Sequence, residues 1–262
     1  MSTLTITLIQ TTLYWEDRSS NLAMFEKKIM GISERTELVV LPEMFSTGFS
    51  MQPAKLAETM DGPTVAWMKE IAARKKVIIT GSVIIKENDQ YFNRLLWVLP
   101  DGNLGYYDKR HRFAFAGEDN EYTAGNKRLI ARVKGWRINL QVCYDLRFPV
   151  WARQNAGGEP EYDLLLYVAN WPERRVHAWK TLLTARAIEN QCFVVGVNRV
   201  GDDGNGIYHN GNSMVIDPLG EVLYQKINDE DIHTITLEKE TVENVRSRFP
   251  FWKDADEFKI ID

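Results

Sequence analysis

Apolar and polar positions alternate along this chain with two periods, one near 2 and one near 3.6, and the two alternate with each other for most of its length. Residues 4–10 interleave Leu and Ile with Thr and read as a strand. Residues 21–32 follow with Leu22, Phe25 and Ile29 at helical spacing. A short buried strand over 37–41 stops at Pro42, because proline cannot continue a ladder. Asp61-Gly62-Pro63 opens a helix over 64–75, and the β-branched run 77–86 is a strand. The turn Pro100-Asp101-Gly102-Asn103 joins strands at 93–99 and 104–108 into a hairpin. An irregular stretch reaches residue 126, then strands are predicted at 129–133 and 136–142. Strands at 164–169 and 193–198 bracket a helix from about 177 to 190. Segments 213–216, 221–224 and 233–237 close the chain with antiparallel character around Asp217-Pro218-Leu219-Gly220. Long β-rich stretches with interspersed helices imply two sheets covered by helices, a layered α/β sandwich.

With no Pro- or Ser-rich linker, low-complexity tract or repeat, residues 1–262 read as one domain. A hydrophobic fraction of 44% with 26% charged residues is that of a globular protein. The net charge of −4 offers no basic excess for nucleic acid. The apolar runs fall far short of the roughly 18 residues a membrane span needs. No basic segment precedes the first strand, so no signal peptide is predicted and the expected location is the cytoplasm. Two cysteines, Cys143 and Cys192, then read as reduced thiols, Cys192 as a core residue.

Chemistry-bearing side chains recur just past predicted strands, where α/β proteins place ligand sites. The run ending at Leu41 leads to Pro42-Glu43, that ending at Tyr107 to Asp108-Lys109, and that ending at Val142 to Cys143-Tyr144-Asp145. Singly, Glu43 and Lys109 read as surface charges and Cys143 as a small core residue. Their joint occurrence past three strands is a stronger signal than any one of them, although spacing alone does not establish a site.

Those three segments resemble the nitrilase, or carbon-nitrogen hydrolase, superfamily: Leu41-Pro42-Glu43-Met44-Phe45, Tyr107-Asp108-Lys109-Arg110-His111, and the run from Val142 through Cys143-Tyr144-Asp145-Leu146-Arg147 to Pro149. Supporting matches are YVANWP at 167–172, ARAIENQ at 185–191, and segments 198–201 and 217–220, so the resemblance spans nearly the whole chain. It implies a four-layer α-β-β-α sandwich and a homodimer. It also implies Cys143 as nucleophile, Glu43 as general base and Lys109 as electrostatic partner, with neither metal nor organic cofactor. The Tyr144 backbone N–H would join Lys109 at the oxyanion. A second glutamate beside the lysine is implied as well; Glu118 fits better than Glu121 when counted back from Ala124-Gly125. Arg112 stands where many relatives carry an aliphatic residue, which bears on the shape of the pocket.

Within the superfamily, CYDLRFPVWAR, YVANWP and ARAIENQ are similar to bacterial omega-amidases, which hydrolyse the terminal amide of 2-oxo acid amides such as 2-oxoglutaramate and 2-oxosuccinamate. Such a substrate carries a carboxylate and calls for a cationic clamp; Arg147, Arg174, Arg175 and Arg186 are candidates, though Arg147 could instead pair with Asp145. The match places Trp171 near the pocket, whereas Trp179, Phe249, Phe251 and Trp252 read as core or interface, the last three in a tail that packs across a subunit contact. Other readings are a hydrolase of another C–N substrate (a nitrile, a carbamoylated amine, a deaminated peptide) and a non-catalytic scaffold. His111, His177, His209 and His233 show no motif for a Cys-His hydrolase or zinc site and default to structural or solvated roles. The run 201–206 lacks the order of a phosphate-binding loop and reads as a mobile surface loop.

Overall fold

The computed structural model describes residues 2–154 and 158–260. In chain order its elements are β1 (Thr3–Gln10), α1 (Arg18–Met30), β2 (Leu38–Val40), α2 (Pro53–Leu56), α3 (Pro63–Lys75), β3 (Ile78–Glu87), β4 (Gln90–Val98), β5 (Leu104–Asp108), α4 (Glu118–Glu121), β6 (Ile130–Val133), β7 (Trp136–Val142), α5 (Pro149–Ala152), β8 (Leu164–Val168), α6 (Val176–Asn190), β9 (Phe193–Val197), β10 (Val200–Asp202), β11 (Tyr208–Ile216), β12 (Val222–Ile227), β13 (Asp231–Glu238) and α7 (Lys239–Arg248). Single-turn 3₁₀ segments include Cys143–Arg147 and Glu173–Arg175.

Local chemistry sets the boundaries. The Asp17 carboxylate caps α1 by accepting from Ser20 N at 3.0 Å, so this helix starts three residues before the predicted 21. Pro63 opens α3, and Lys76 closes it in the left-handed conformation. At Asn88-Asp89 both residues have positive φ, forming the two-residue turn that joins β3 to β4.

One sheet has the order β13-β1-β2-β3-β4-β5; the other runs β10-β11-β9-β8-β7-β6, with β12 paired to β11. In each, the middle strands are parallel: β1, β2 and β3 in the first, β7, β8 and β9 in the second. The period-2 pattern sorts their side chains into layers. Leu38 and Val40 of β2 face the other sheet, where they join Leu140, Val142, Leu166 and Val168. Val39 and Leu41 face the opposite way and pack with Phe25, Ile29, Met68 and Ile71 of α1 and α3. The outer face of the second sheet is covered by α6 through Trp179, Leu183 and Ala187. The result is the α-β-β-α sandwich. All five residues of β8 and of β9 are buried, as apolar runs of central parallel strands must be. Among the described residues no helix is long and apolar enough to cross a membrane.

Candidate active site

Glu43 lies three residues beyond β2, past Leu41 and Pro42, at the carboxyl end of the first sheet. The next residue, Met44, has a φ of 44°, and its N–H donates to Ser82 Oγ at 2.8 Å; this corner turns the fully buried Glu43 inward. Lys109 directly follows β5. Its N–H donates to Asn93 O at 3.0 Å and its carbonyl accepts from Gly125 N at 3.0 Å, so the backbone is held from both sides. Cys143 directly follows β7 with a φ of 42°, a left-handed corner uncommon outside glycine, and opens a single helical turn. Asp145 braces that turn: its carboxylate accepts from Val142 N (2.9 Å), Tyr107 OH (2.8 Å), His111 N (3.0 Å) and His111 Nδ1 (2.8 Å).

The three corners bring their side chains together. Lys109 Nζ donates to Glu43 Oε1 at 2.9 Å and to Glu118 Oε1 and Oε2 at 2.9 and 2.8 Å. Asn93 Nδ2 donates to Glu43 Oε1 at 2.9 Å, and Asn170 N to Glu43 Oε2 at 2.8 Å. Glu43, Lys109 and Asn170 all lie close enough to the Cys143 thiol to shift its titration. Glu118 is buried and also accepts from Phe113 N, whereas Glu121 is exposed, which separates the two carboxylates that spacing left open.

Electrostatics give each group a resting state. Burial alone would press the Lys109 ammonium down, but Glu118, Glu43 and Cys143 carry it well above its ordinary range, so it stays charged. Burial pushes the Cys143 thiol up, Glu43 adds to this, and Lys109 only partly opposes it. The resting nucleophile is therefore a thiol that must lose its proton as it attacks, and Glu43 is the base in reach. Burial raises Glu118 too, against the pull of Lys109. At the start of the Cys143–Arg147 turn the Tyr144 N–H has no partner within the helix and is available to an oxyanion. Among the described residues, no group of three His, Cys, Asp or Glu side chains is placed to hold a metal ion.

Cys143 and Lys109 open into a cleft of about 530 Å³, whose walls include Tyr144, Arg147, Trp171 and Arg175. Arg147 lies 4.9 Å above the Trp171 ring and Arg175 5.0 Å from the Phe113 ring, so aromatic faces hold both guanidinium groups at the cleft. Asp145 is occupied by Tyr107, His111 and Val142 rather than by Arg147. Burial, together with the like charges of Arg147 and Arg174, presses Arg175 below its ordinary value, although Cys143 partly opposes this. An anionic ligand would relieve that strain.

The other two arginines are elsewhere. Arg174 is exposed and does not line the cleft. Arg186 is buried and does not line the cleft; its Nη2 donates to Leu146 O at 2.7 Å and its Nη1 to Glu189 Oε1 at 2.9 Å, which secures the nucleophile's turn. Arg112 reaches Tyr122 O at 3.0 Å and braces the loop that carries Glu118.

Sequence reasoning missed Asn93 and Asn170, which orient the base; strand-end position after β8 was the available signal for Asn170. It also missed the wall formed by Asp203, Gly204 and Asn205, which line the cleft instead of forming a mere surface loop. Gly204 lies flat on the Trp15 indole, where a Cβ would approach ring atoms to 2.3 Å. The tail docks on its own chain: Gln191 Nε2 donates to Phe249 O at 2.7 Å.

Residues 5–247 match the family model for carbon-nitrogen hydrolase. The chain is 46% identical, over all of both sequences, to the omega-amidase YafV of Yersinia enterocolitica. It is 31% identical to the 2-oxoglutaramate amidase of Bacillus subtilis, covering 95% of this chain and 96% of that one. A CN-hydrolase superfamily protein of Xanthomonas campestris, solved with an arsenic adduct in its active site, superposes with a TM-score of 0.96 at 48% identity, covering 99% and 100% of the two chains. Nit3 of Saccharomyces cerevisiae shares the fold with a TM-score of 0.82 at 24% identity, over 95% of each chain.

Proposed function

The chain belongs to the carbon-nitrogen hydrolase family and is an amide-hydrolysing enzyme, and from that premise we propose how and on what it acts. The reaction is hydrolysis of the terminal amide of small 2-oxo acid amides, 2-oxoglutaramate and 2-oxosuccinamate, to the acid and ammonia. The observation that carries the reading is the closure of Glu43, Lys109 and Cys143 on one another at the base of a cleft lined by Arg147 and Arg175.

Glu43 takes the thiol proton as Cys143 Sγ attacks the amide carbon. Lys109 and the Tyr144 N–H hold the oxyanion, a contribution on the order of 3 kcal/mol for one such donor. Collapse passes the proton from Glu43 to the departing nitrogen, releasing ammonia and leaving a thioester. Glu43 then takes a proton from water, which attacks the thioester carbon; the acid departs and Cys143 regains its proton. Glu118 keeps Lys109 in place throughout. Arg147 and Arg175 pair with the carboxylate at the far end of the substrate, and Trp171 supports Arg147.

Ammonia release from 2-oxoglutaramate, glutamine, a simple aliphatic amide and a nitrile, by wild type and Cys143→Ala in parallel, tests this. The expected result is strong turnover of the oxo-amide by wild type alone. Turnover of the nitrile in preference, or equal activity in Cys143→Ala, defeats it.

The working form is proposed to be a homodimer in the cytoplasm. Ile188, Leu219, Val222 and Leu223 are exposed, and Gly220 packs on Ile188, which forms an apolar patch on the outer face beside α6. A monomer by sedimentation at micromolar concentration would remove the dimer.

A further inference from the structure

Lys109 sits midway between two residues that hold the same carboxylate. Tyr107, two residues before it, donates its hydroxyl to Asp145 Oδ2 at 2.8 Å. His111, two residues after it, donates its backbone N–H to Asp145 Oδ1 at 3.0 Å, and its ring Nδ1 lies 2.8 Å from the same oxygen. Asp145 in turn stands two residues beyond Cys143, is fully buried, and accepts from Val142 N at 2.9 Å. The lysine segment, leaving the first sheet at β5, is thus fastened on both flanks to the turn that leaves the second sheet at β7.

The direction of this tie follows from the donors around it. The Tyr107 oxygen accepts from Trp151 Nε1 at 2.9 Å and from Arg110 N at 3.2 Å, so its one hydrogen is left for Asp145. Burial, and then the charge of Asp145, push the Tyr107 hydroxyl well above its ordinary value, so it keeps that hydrogen. An ionised carboxylate only accepts, and the His111 ring therefore presents Nδ1–H to it. Phe148 steadies that ring by stacking on it, with centroids 3.9 Å apart. Both oxygens of Asp145 are doubly engaged, and three of the four bonds come from the lysine segment.

The two donors to the oxyanion come from the two sides of this tie: Lys109 from the lysine segment, the Tyr144 N–H from the nucleophile's turn. Their spacing matters most once the carbonyl oxygen carries charge, in the transition state rather than in the bound substrate. We propose that Tyr107 and His111 are positioning residues, which act through Asp145 to hold Lys109 in register with Cys143 and the Tyr144 N–H. This rests on the reading of Lys109 as an oxyanion donor and adds the device that sets its place. The carboxylate clamp is anchored elsewhere, Arg147 on Trp171 and Arg175 on Phe113, so substrate binding does not depend on the tie.

The test measures kcat and KM on 2-oxoglutaramate for Tyr107→Phe, His111→Phe and His111→Asn in the wild-type chain, and for Tyr107→Phe added to Lys109→Met. Both Phe variants keep a ring and remove a donor. Each should lower kcat about ten-fold or more, with KM changed less than about two-fold. His111→Asn, whose side-chain amide can still donate to Asp145, should recover most of that loss. In Lys109→Met the positioned donor is already gone, so adding Tyr107→Phe should lower kcat less than about two-fold further. A part in folding alone predicts the same factor in both backgrounds. That result, a rise in KM as large as the fall in kcat, an Asn variant no better than Phe, or full activity in Tyr107→Phe would overturn the assignment while leaving the hydrolytic mechanism intact. A Lys109→Met enzyme as fast as wild type would overturn it together with the role given to Lys109.

Discussion

Lys109 is the side chain on which most of the site converges, and the least replaceable one. Its ammonium is the counter-charge for two buried carboxylates, Glu43 and Glu118. Lys109→Met therefore removes an oxyanion donor and strands two charges. The turnover number should fall on the order of 10²–10³-fold, and denaturant unfolding should show a loss of about 3–5 kcal/mol. Adding Glu118→Gln to that variant should return stability but not activity, because it removes one stranded charge and restores no donor. Recovery of turnover in the double variant would deny Lys109 its part in the chemistry. His209 makes a separate prediction at low pH. In the unfolded chain it titrates near its ordinary 6.5, but in the fold at about 4, so its contribution is complete above 6.5 and is lost as pH falls toward 4. The loss amounts to about 3 kcal/mol. Urea unfolding from pH 7 to 4 should show this acid limb in wild type and not in His209→Phe; a limb of equal depth in both assigns it to other groups.

The elements deliver these side chains through their ends, and the ends are held by backbone contacts with no slack. Gly125 is the tightest: a Cβ there would lie 2.0 Å from Asp108 O, a backbone atom next to Lys109, while the Gly125 N–H donates to the Lys109 carbonyl. Gly125→Ala must displace the lysine segment, and a shift near 1 Å costs on the order of 100-fold in rate. Circular dichroism should be unchanged while kcat falls; full activity would show that the loop can yield. Strand ends were also the most legible part of the chain, since an apolar run stopped by Pro42, Lys109 or Cys143 marks both an element and the chemistry at its tip. Polar elements were not legible. Residues 208–212 of β11 read Tyr-His-Asn-Gly-Asn, yet four of the five are buried, held in part by bonds from neighbouring segments: Gly211 N donates to Arg199 O at 3.1 Å, and Asn212 Oδ1 accepts from Gln225 Nε2 at 2.7 Å. α7 shows only Val242 and Val245 as its buried side, too few for a helical period to stand out. The arginines could not be ranked for another reason. Whether a long side chain meets a cleft or a carbonyl depends on which neighbouring turn it faces, as Arg175 and Arg186 show.

At the scale of the molecule, the site is shared between the sheets. Glu43 and Lys109 extend from the first, Cys143 and Asn170 from the second, and the apolar layer between them sets the distance from base to nucleophile. Leu166 lies in that layer, fully buried on β8. Leu166→Ala should cost about 2–5 kcal/mol in stability, with KM little changed because Leu166 does not line the cleft. A KM shift as large as the stability loss would show that the layer also shapes the pocket. At the base itself, two of the hydrogen bonds that span the division are Asn170 N to Glu43 Oε2 at 2.8 Å and Asn170 Nδ2 to the Glu43 carbonyl at 2.6 Å. Catalysis is thereby made a vernier on the alignment of two halves, sensitive to a slip far too small to melt either. In rising urea, turnover should vanish before ellipticity does, and the interval between the two curves would measure how far the halves slide before they part.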